Sequence, residues 1–159
     1  PAGTPFLPDI ADQHAEDTVI IWAGTNNRAS NGSAARVVTD VTAMVNYLKP
    51  LGRRFLILGA FNGDADTTGG GNHTRTLAIN SDLSSAFPDQ FFDVREFLRD
   101  VGAGGAFDLA GASPTTQDTT DIANGVIPDS WRTDTIHLNG AGKEVVATKI
   151  AQIFSSKGW

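Results

Sequence analysis

Apolar residues in this chain fall into short continuous runs that alternate with longer amphipathic stretches. The run Thr18-Val19-Ile20-Ile21-Trp22-Ala23 is β-branched and unbroken, and it ends at the turn cluster Gly24-Thr25-Asn26-Asn27. Such a run predicts a strand over 18–23 buried on both faces of a parallel sheet. Residues 34–48 repeat Val37, Val41, Met44, Val45 and Leu48 at helical spacing, and Pro50 and Gly52 close that helix. A second apolar strand is expected over 55–59. It leads into Asn62-Gly63-Asp64-Ala65-Asp66 and a glycine-rich stretch to Gly71. Residues 74–86 read as a helix burying Leu77, Ile79 and Leu83, residues 91–94 as a third strand, and 95–100 as a short helical tail. The segment 102–125 is dominated by Gly, Ala, Ser, Thr and Asp, which predicts a long surface excursion with little regular structure. The final helix is expected over 140–154, with Ala141, Val145, Ile150, Ile153 and Phe154 as its stripe.

Strand, helix, strand, helix, strand, loop, helix is the order of a parallel α/β sheet covered on both faces. Ligands of such sheets bind beyond the carboxyl ends of the strands, where the turns at 24–27 and 62–64 fall. Residues 1–17, with three prolines, read as an irregular lead-in with one helical turn near 8–12. The opening Pro1-Ala2-Gly3-Thr4-Pro5 has neither initiator Met nor signal peptide and is expected to mark a fragment, a cleaved product or a trimmed chain.

Composition narrows the options. A length of 159 residues, 40% hydrophobic and 19% charged, suits one globular domain. The net charge of −6 argues against a nucleic-acid partner or an anionic membrane surface. The absence of cysteine excludes disulfides, a thiol nucleophile and thiolate metal sites. No apolar run reaches the roughly 20 residues of a membrane span. Asp64, Asp66 and His73 match no closed set of metal ligands, and solvated loop charges are the simpler reading.

The candidate chemistry lies in Asp134-Thr135-Ile136-His137-Leu138-Asn139-Gly140-Ala141-Gly142. A carboxylate three residues before a histidine can fix the imidazole tautomer, which leaves the other nitrogen free to take a proton from a nucleophile. The plainer alternative is a helix N-terminus capped by Asn139, with His137 an ordinary loop residue.

Taken with Gly24-Thr25-Asn26-Asn27 after the first strand, this loop resembles the SGNH/GDSL hydrolase family of serine esterases and lipases. The family's Gly-x-Asn-Asp block stands here as Gly24, Asn26 and Asn27, with Asn in place of the final Asp. Its Asp-x-x-His block stands as Asp134 and His137, followed by Leu138, Asn139 and Gly142. The resemblance runs from Thr18 to the end and implies one SGNH-like domain over 1–159. It also implies a flavodoxin-like three-layer α/β/α fold whose first strands lie outside this chain. It makes His137 the general base, Asp134 its orienting carboxylate and Asn26 an oxyanion donor. Gly24 would permit the tight turn, and Asn27, Arg28 and Trp131 would line the substrate pocket. The core is an equal alternative for Trp131, and an exposed turn residue is the default for Arg28. Trp22 is expected to pack in the core.

The nucleophile block Gly-Asp-Ser and the second family block are absent from these residues. None of the serines here follows an apolar strand in such a setting, so none is nominated. The resemblance therefore implies a partner: an N-terminal segment or chain that carries the Ser and completes the sheet. No metal or organic cofactor is implied. The expected substrate is a carboxylic ester, with an O-acyl group on carbohydrate as the first choice, and the expected setting is extracellular or virion-associated. The alternative is a non-catalytic SGNH-like module that binds glycan or builds a larger assembly, such as a virion. A phosphate-binding domain is disfavoured, because the first turn lacks a glycine-rich phosphate cradle.

Overall fold

Two hydrophobic clusters on opposite sides of a small sheet organise the molecule. The computed structural model describes residues 17–29 and 32–159. Apart from Asp17, the expected lead-in with its helical turn therefore lies outside the described residues. Three parallel strands, β1 (Thr18–Trp22), β2 (Arg54–Leu58) and β3 (Phe91–Phe92), lie in the order β1-β2-β3. Val19 pairs with Phe55 and Trp22 with Leu58, while Leu58 also pairs with Phe92. The chain is thus mixed α/β with a parallel sheet.

Helices α1 (Ser33–Leu48) and α2 (Gly71–Ala86) carry the two crossovers and share one face of the sheet. There Val37, Val41 and Val45 of α1 and Ile79 and Leu83 of α2 meet Ile21, Phe55 and Ile57. On the opposite face lie α3 (Val94–Arg99), α4 (Ala106–Leu109), α5 (Thr116–Ala123) and α6 (Gly140–Lys157). Val94, Leu98, Phe107, Trp131, Val145 and Val146 pack there against Leu56 and Leu58.

Several expectations are corrected. β1 is not buried on both faces: Ile21 faces the α1/α2 side, whereas Ile20 and Trp22 are 45% and 43% exposed. The second cluster begins at β2 and includes no β1 residue, so the face of β1 carrying Ile20 and Trp22 is covered only in part among the described residues, with Phe61 against the Trp22 ring. Met44 and Leu77 are exposed as well. α2 buries polar side chains beside its aliphatic ones, because Asn80 accepts from Ala60 N (2.8 Å) and donates to Ala60 O (2.9 Å), which holds the chain leaving β2. Ala141 lies on the exposed side of α6.

The segment 102–125 is not an irregular excursion. It forms α4 and α5, with Phe107 in the core. A capping box starts α5: Thr115 accepts from Asp118 N and the Asp118 carboxylate accepts from Thr115 N. The polar composition of this stretch concealed carboxylates that point inward, since Asp118 and Asp121 are both buried.

Candidate functional site

The chain leaves β1 through Gly24, whose φ of +106° is open to glycine and strained for other residues. A Cβ there would also press on Val37 and Ile79 at 3.3 Å. This turn leads into a 3₁₀ segment, Thr25–Ala29, closed by Asn27 N donating to Gly24 O at 3.0 Å, and it leaves Asn26 exposed. Arg28 turns away from the opening. Its Nε donates to Asp66 at 2.9 Å and its Nη1 to Thr25 O. Burial opposes the charge on Asp66, but hydrogen bonds from Arg28, Asn72 and Gly63 N outweigh it and hold the carboxyl below its usual range.

The Asp–His loop is a tight reversal. Thr133 N donates to His137 O (2.8 Å), Asn139 N donates to Trp131 O (2.9 Å), and Arg132 and Leu138 form an antiparallel bridge. Asn139 fastens its base. The Asn139 amide donates to Ser130 O (2.9 Å) and Arg132 O (3.1 Å), while its carbonyl caps α6 by accepting from Gly142 N at 2.8 Å. Gly142 admits the close approach, since a Cβ there would lie 2.4 Å from Trp131 O. Arg132 bridges Asp121 (2.9 Å) and Asp64 (3.2 Å), and Asp64 N donates to Thr135 O at 2.9 Å, so the loop is tied to the end of β2.

At the tip, Asp134 accepts from Ile136 N (2.9 Å) and His137 N (2.8 Å), and its Oδ2 lies 2.8 Å from His137 Nδ1. Those backbone bonds, with the imidazole contact, lower the Asp134 pKa to about 2. A carboxylate ionised at neutral pH can only accept, so Nδ1 carries a proton, and in the neutral ring the lone pair falls on Nε2. The His137 side chain is 76% exposed.

One cavity of about 360 Å³ is lined by Trp22, Thr25, Asn26, Phe61, Ile136, His137, Leu138 and Lys143. Asn26 and His137, 111 positions apart in sequence, thus open onto the same cavity at the carboxyl end of the sheet. Phe61 and Trp22 meet edge-on at 5.9 Å and form an aromatic wall, and Trp22 Nε1 donates to Gly59 O at 3.2 Å. Trp22 is therefore a wall of this cavity and not the core residue expected. The core is where Trp131 lies: buried, with Nε1 donating to Leu98 O at 3.0 Å and its ring 4.8 Å from Phe107. Gly24, Asn27 and Arg28 shape the turn behind Asn26 and are not among the lining residues.

Across 156 residues the chain is 33% identical to the tail spike protein of Salmonella phage epsilon15. The match takes in 92% of this chain and 14% of that protein, so the chain spans about one-seventh of its relative's length. No family model and no solved structure matches.

Three residues that support the site escaped the sequence reading. Asp118 is buried and accepts from Thr115 N and Oγ1 (both 2.8 Å), Ser130 N (2.9 Å) and Ser130 Oγ (2.7 Å). Burial opposes its charge, yet these bonds hold its pKa below the ordinary value. It locks Ser130 at the base of the Asp–His loop, and the Thr-x-x-Asp spacing was its readable signal. Arg95 is 2% exposed, donating to Asn62 Oδ1 (2.8 Å) and Gly125 O (2.6 Å), with His73 Nε2 at 3.1 Å. Asn62 donates in turn to Asp66 O (2.7 Å) and Gly125 O (3.1 Å). No local pattern reveals the contacts of Arg95 and Asn62 with each other, His73 and Gly125, which span 22 to 63 positions.

Proposed function

We propose that this chain is a module of a virion-associated, tail-spike-type protein, and that its cavity at 26 and 137 is the acyl-transfer site of an SGNH-type carboxylic ester hydrolase. The observation that carries the catalytic reading is the convergence of Asn26 and the Asp134–His137 pair on one cavity of about 360 Å³. The virion setting rests on the 33% identity to a phage tail spike protein. In this reading His137 Nε2 takes the proton of a serine hydroxyl as it attacks the ester carbonyl, and Asp134 stabilises the imidazolium. Asn26 donates its amide to the tetrahedral oxyanion. His137 then returns the proton to the leaving alcohol, and water releases the acyl group by the same steps in reverse. The substrate is an O-acyl group on carbohydrate.

The serine comes from polypeptide outside these 159 residues. Its strand pairs along the outer side of β1, where Val19, Ile20, Trp22, Met44 and Tyr47 border an apolar groove of about 590 Å³. Among the described residues β1 pairs only with β2, and the chain spans a small part of its relative's length. Both facts leave room for such a strand.

The test uses the intact protein that contains this chain. Hydrolysis of p-nitrophenyl acetate and labelling by a fluorophosphonate are expected, and His137→Ala is expected to abolish both. If the intact protein neither hydrolyses the ester nor takes the label, the catalytic reading is refuted. The second reading then stands: a non-catalytic glycan-binding or structural module, favoured by the tail spike relationship and by the lack of a Gly-Asp-Ser block in these residues.

A further inference from the structure

The cavity at 26 and 137 has an unusual charge for this chain. The protein carries a net −6, yet among the described residues no carboxylate lines the cavity. Asp134, three positions before His137, is turned onto Ile136 N, His137 N and the ring Nδ1, and Glu144, next to Lys143, borders a different pocket with Trp131. The other cations of the neighbourhood are consumed: Arg28 by Asp66 at 2.9 Å, and Arg132 by Asp121 and Asp64. Lys143 is different. It lines the cavity, its side chain is exposed, and its ammonium makes no hydrogen bond or ion pair among the described residues. It stands in the first turns of α6, an 18-residue helix whose N-terminal end adds partial positive charge on the same side. Trp22, Phe61, Ile136 and Leu138 give the cavity apolar walls, Thr25, Asn26 and His137 supply its other polar groups, and Lys143 is the one lysine or arginine among its lining residues.

We infer that Lys143 is the specificity residue of this cavity and selects a substrate with a fixed negative charge beside its acyl group, an O-acylated acidic glycan. The inference rests on the esterase reading for its reaction, though not for its binding preference. The apolar walls hold the acyl group and the sugar face, while the ammonium meets the sugar's carboxylate. An ammonium at a half-open cavity favours the anionic ligand about tenfold, and salt weakens that preference.

The experiment compares polygalacturonate with its carboxyl-reduced galactan, each chemically O-acetylated, as substrates of the intact protein at low salt. The expected kcat/KM for acetate release favours the acidic polymer about tenfold. That ratio falls toward one in Lys143→Met and inverts in Lys143→Glu. A ratio unchanged in both variants overturns the inference. If neither polymer is deacetylated although p-nitrophenyl acetate is hydrolysed, the inference is overturned; if that ester also survives, the esterase reading fails. Lys143 is then judged by saturation-transfer NMR with oligosaccharides of the same two polymers. Preferential binding of the acidic oligosaccharide that vanishes in Lys143→Glu upholds the assignment. Equal binding, or none, refutes it.

Discussion

Replacing Asn139 by alanine removes the fastening that joins the Asp–His loop to the last helix. The change deletes three hydrogen bonds at once: the amide's donations to Ser130 O and Arg132 O, and the carbonyl's acceptance from Gly142 N. Loss of an N-cap costs about 1 kcal/mol. Each of the other two bonds is worth about 1 kcal/mol net. Asn139 is half-buried, so water replaces its partners only in part, and the sum of about 3 kcal/mol stands. For a chain of this size each kcal/mol moves the melting temperature by about 3 °C, which predicts a drop of about 9 °C. Asn139→Asp separates the contributions. It keeps the cap and places a favourable charge at the helix N-terminus but forfeits both donations, so about 1–2 kcal/mol is lost. The assay is urea unfolding of all three proteins, read as a shift in midpoint at constant slope, with amide exchange at Gly142 as the local probe. An alanine variant within 0.5 kcal/mol of the parent refutes the role assigned to this side chain; the aspartate variant, whose second carboxylate oxygen faces Ser130 O and Arg132 O, reports the cap through exchange at Gly142.

Asn26→Ala in the intact protein is expected to lower kcat for ester hydrolysis by about 100- to 1,000-fold with a smaller effect on KM; unchanged turnover removes Asn26 from the mechanism. His73 supplies a pH dependence. Burial, with the Arg95 and Arg99 charges, depresses its pKa below 6.5. The unfolded chain therefore binds the proton more tightly, and the stability this group contributes is complete above about pH 6.5 and is lost as pH falls through the folded pKa. Urea midpoints followed downward from pH 7 are expected to decline in the parent and to stay nearly level in His73→Gln until the carboxylates titrate; parallel declines contradict this. Protonation would also place a cation against Arg95 Nη2, 3.1 Å away, so the loss is expected to begin at the Asn62–Gly125 contacts.

Short-range features of the fold were legible in the sequence. Asp134 and His137 share one reversal, and their contact needs only three positions of separation. Gly24 and Asn26 announce a turn because the apolar run stops there. The three strands and the two crossover helices follow from hydrophobic periodicity. What could not be read depends on distant partners. Trp22 lies at the cavity wall instead of the core, and Trp131 takes the core of its two expected places; their indole N–H groups meet Gly59 O and Leu98 O, 37 and 33 positions away. Helix α5 was missed because its buried face presents Asp118 and Asp121, whose burial is compensated by Ser130, Gln117 and Arg132. Lys143 looked like any solvent-facing helix residue, and only the fold, which brings the start of α6 to the cavity walled by Trp22 and Phe61, sets it there.

The position of Trp22 gives the protein an optical gauge. Its indole forms a wall of the cavity and stays 43% exposed, whereas Trp131 is sealed in the core. Fluorescence of the first is open to aqueous quenchers and that of the second is not. A molecule seated between Trp22 and His137 would shield Trp22 and leave Trp131 and the half-buried Trp159 unchanged, so occupancy can be followed by light without a label, in the His137→Ala variant as well.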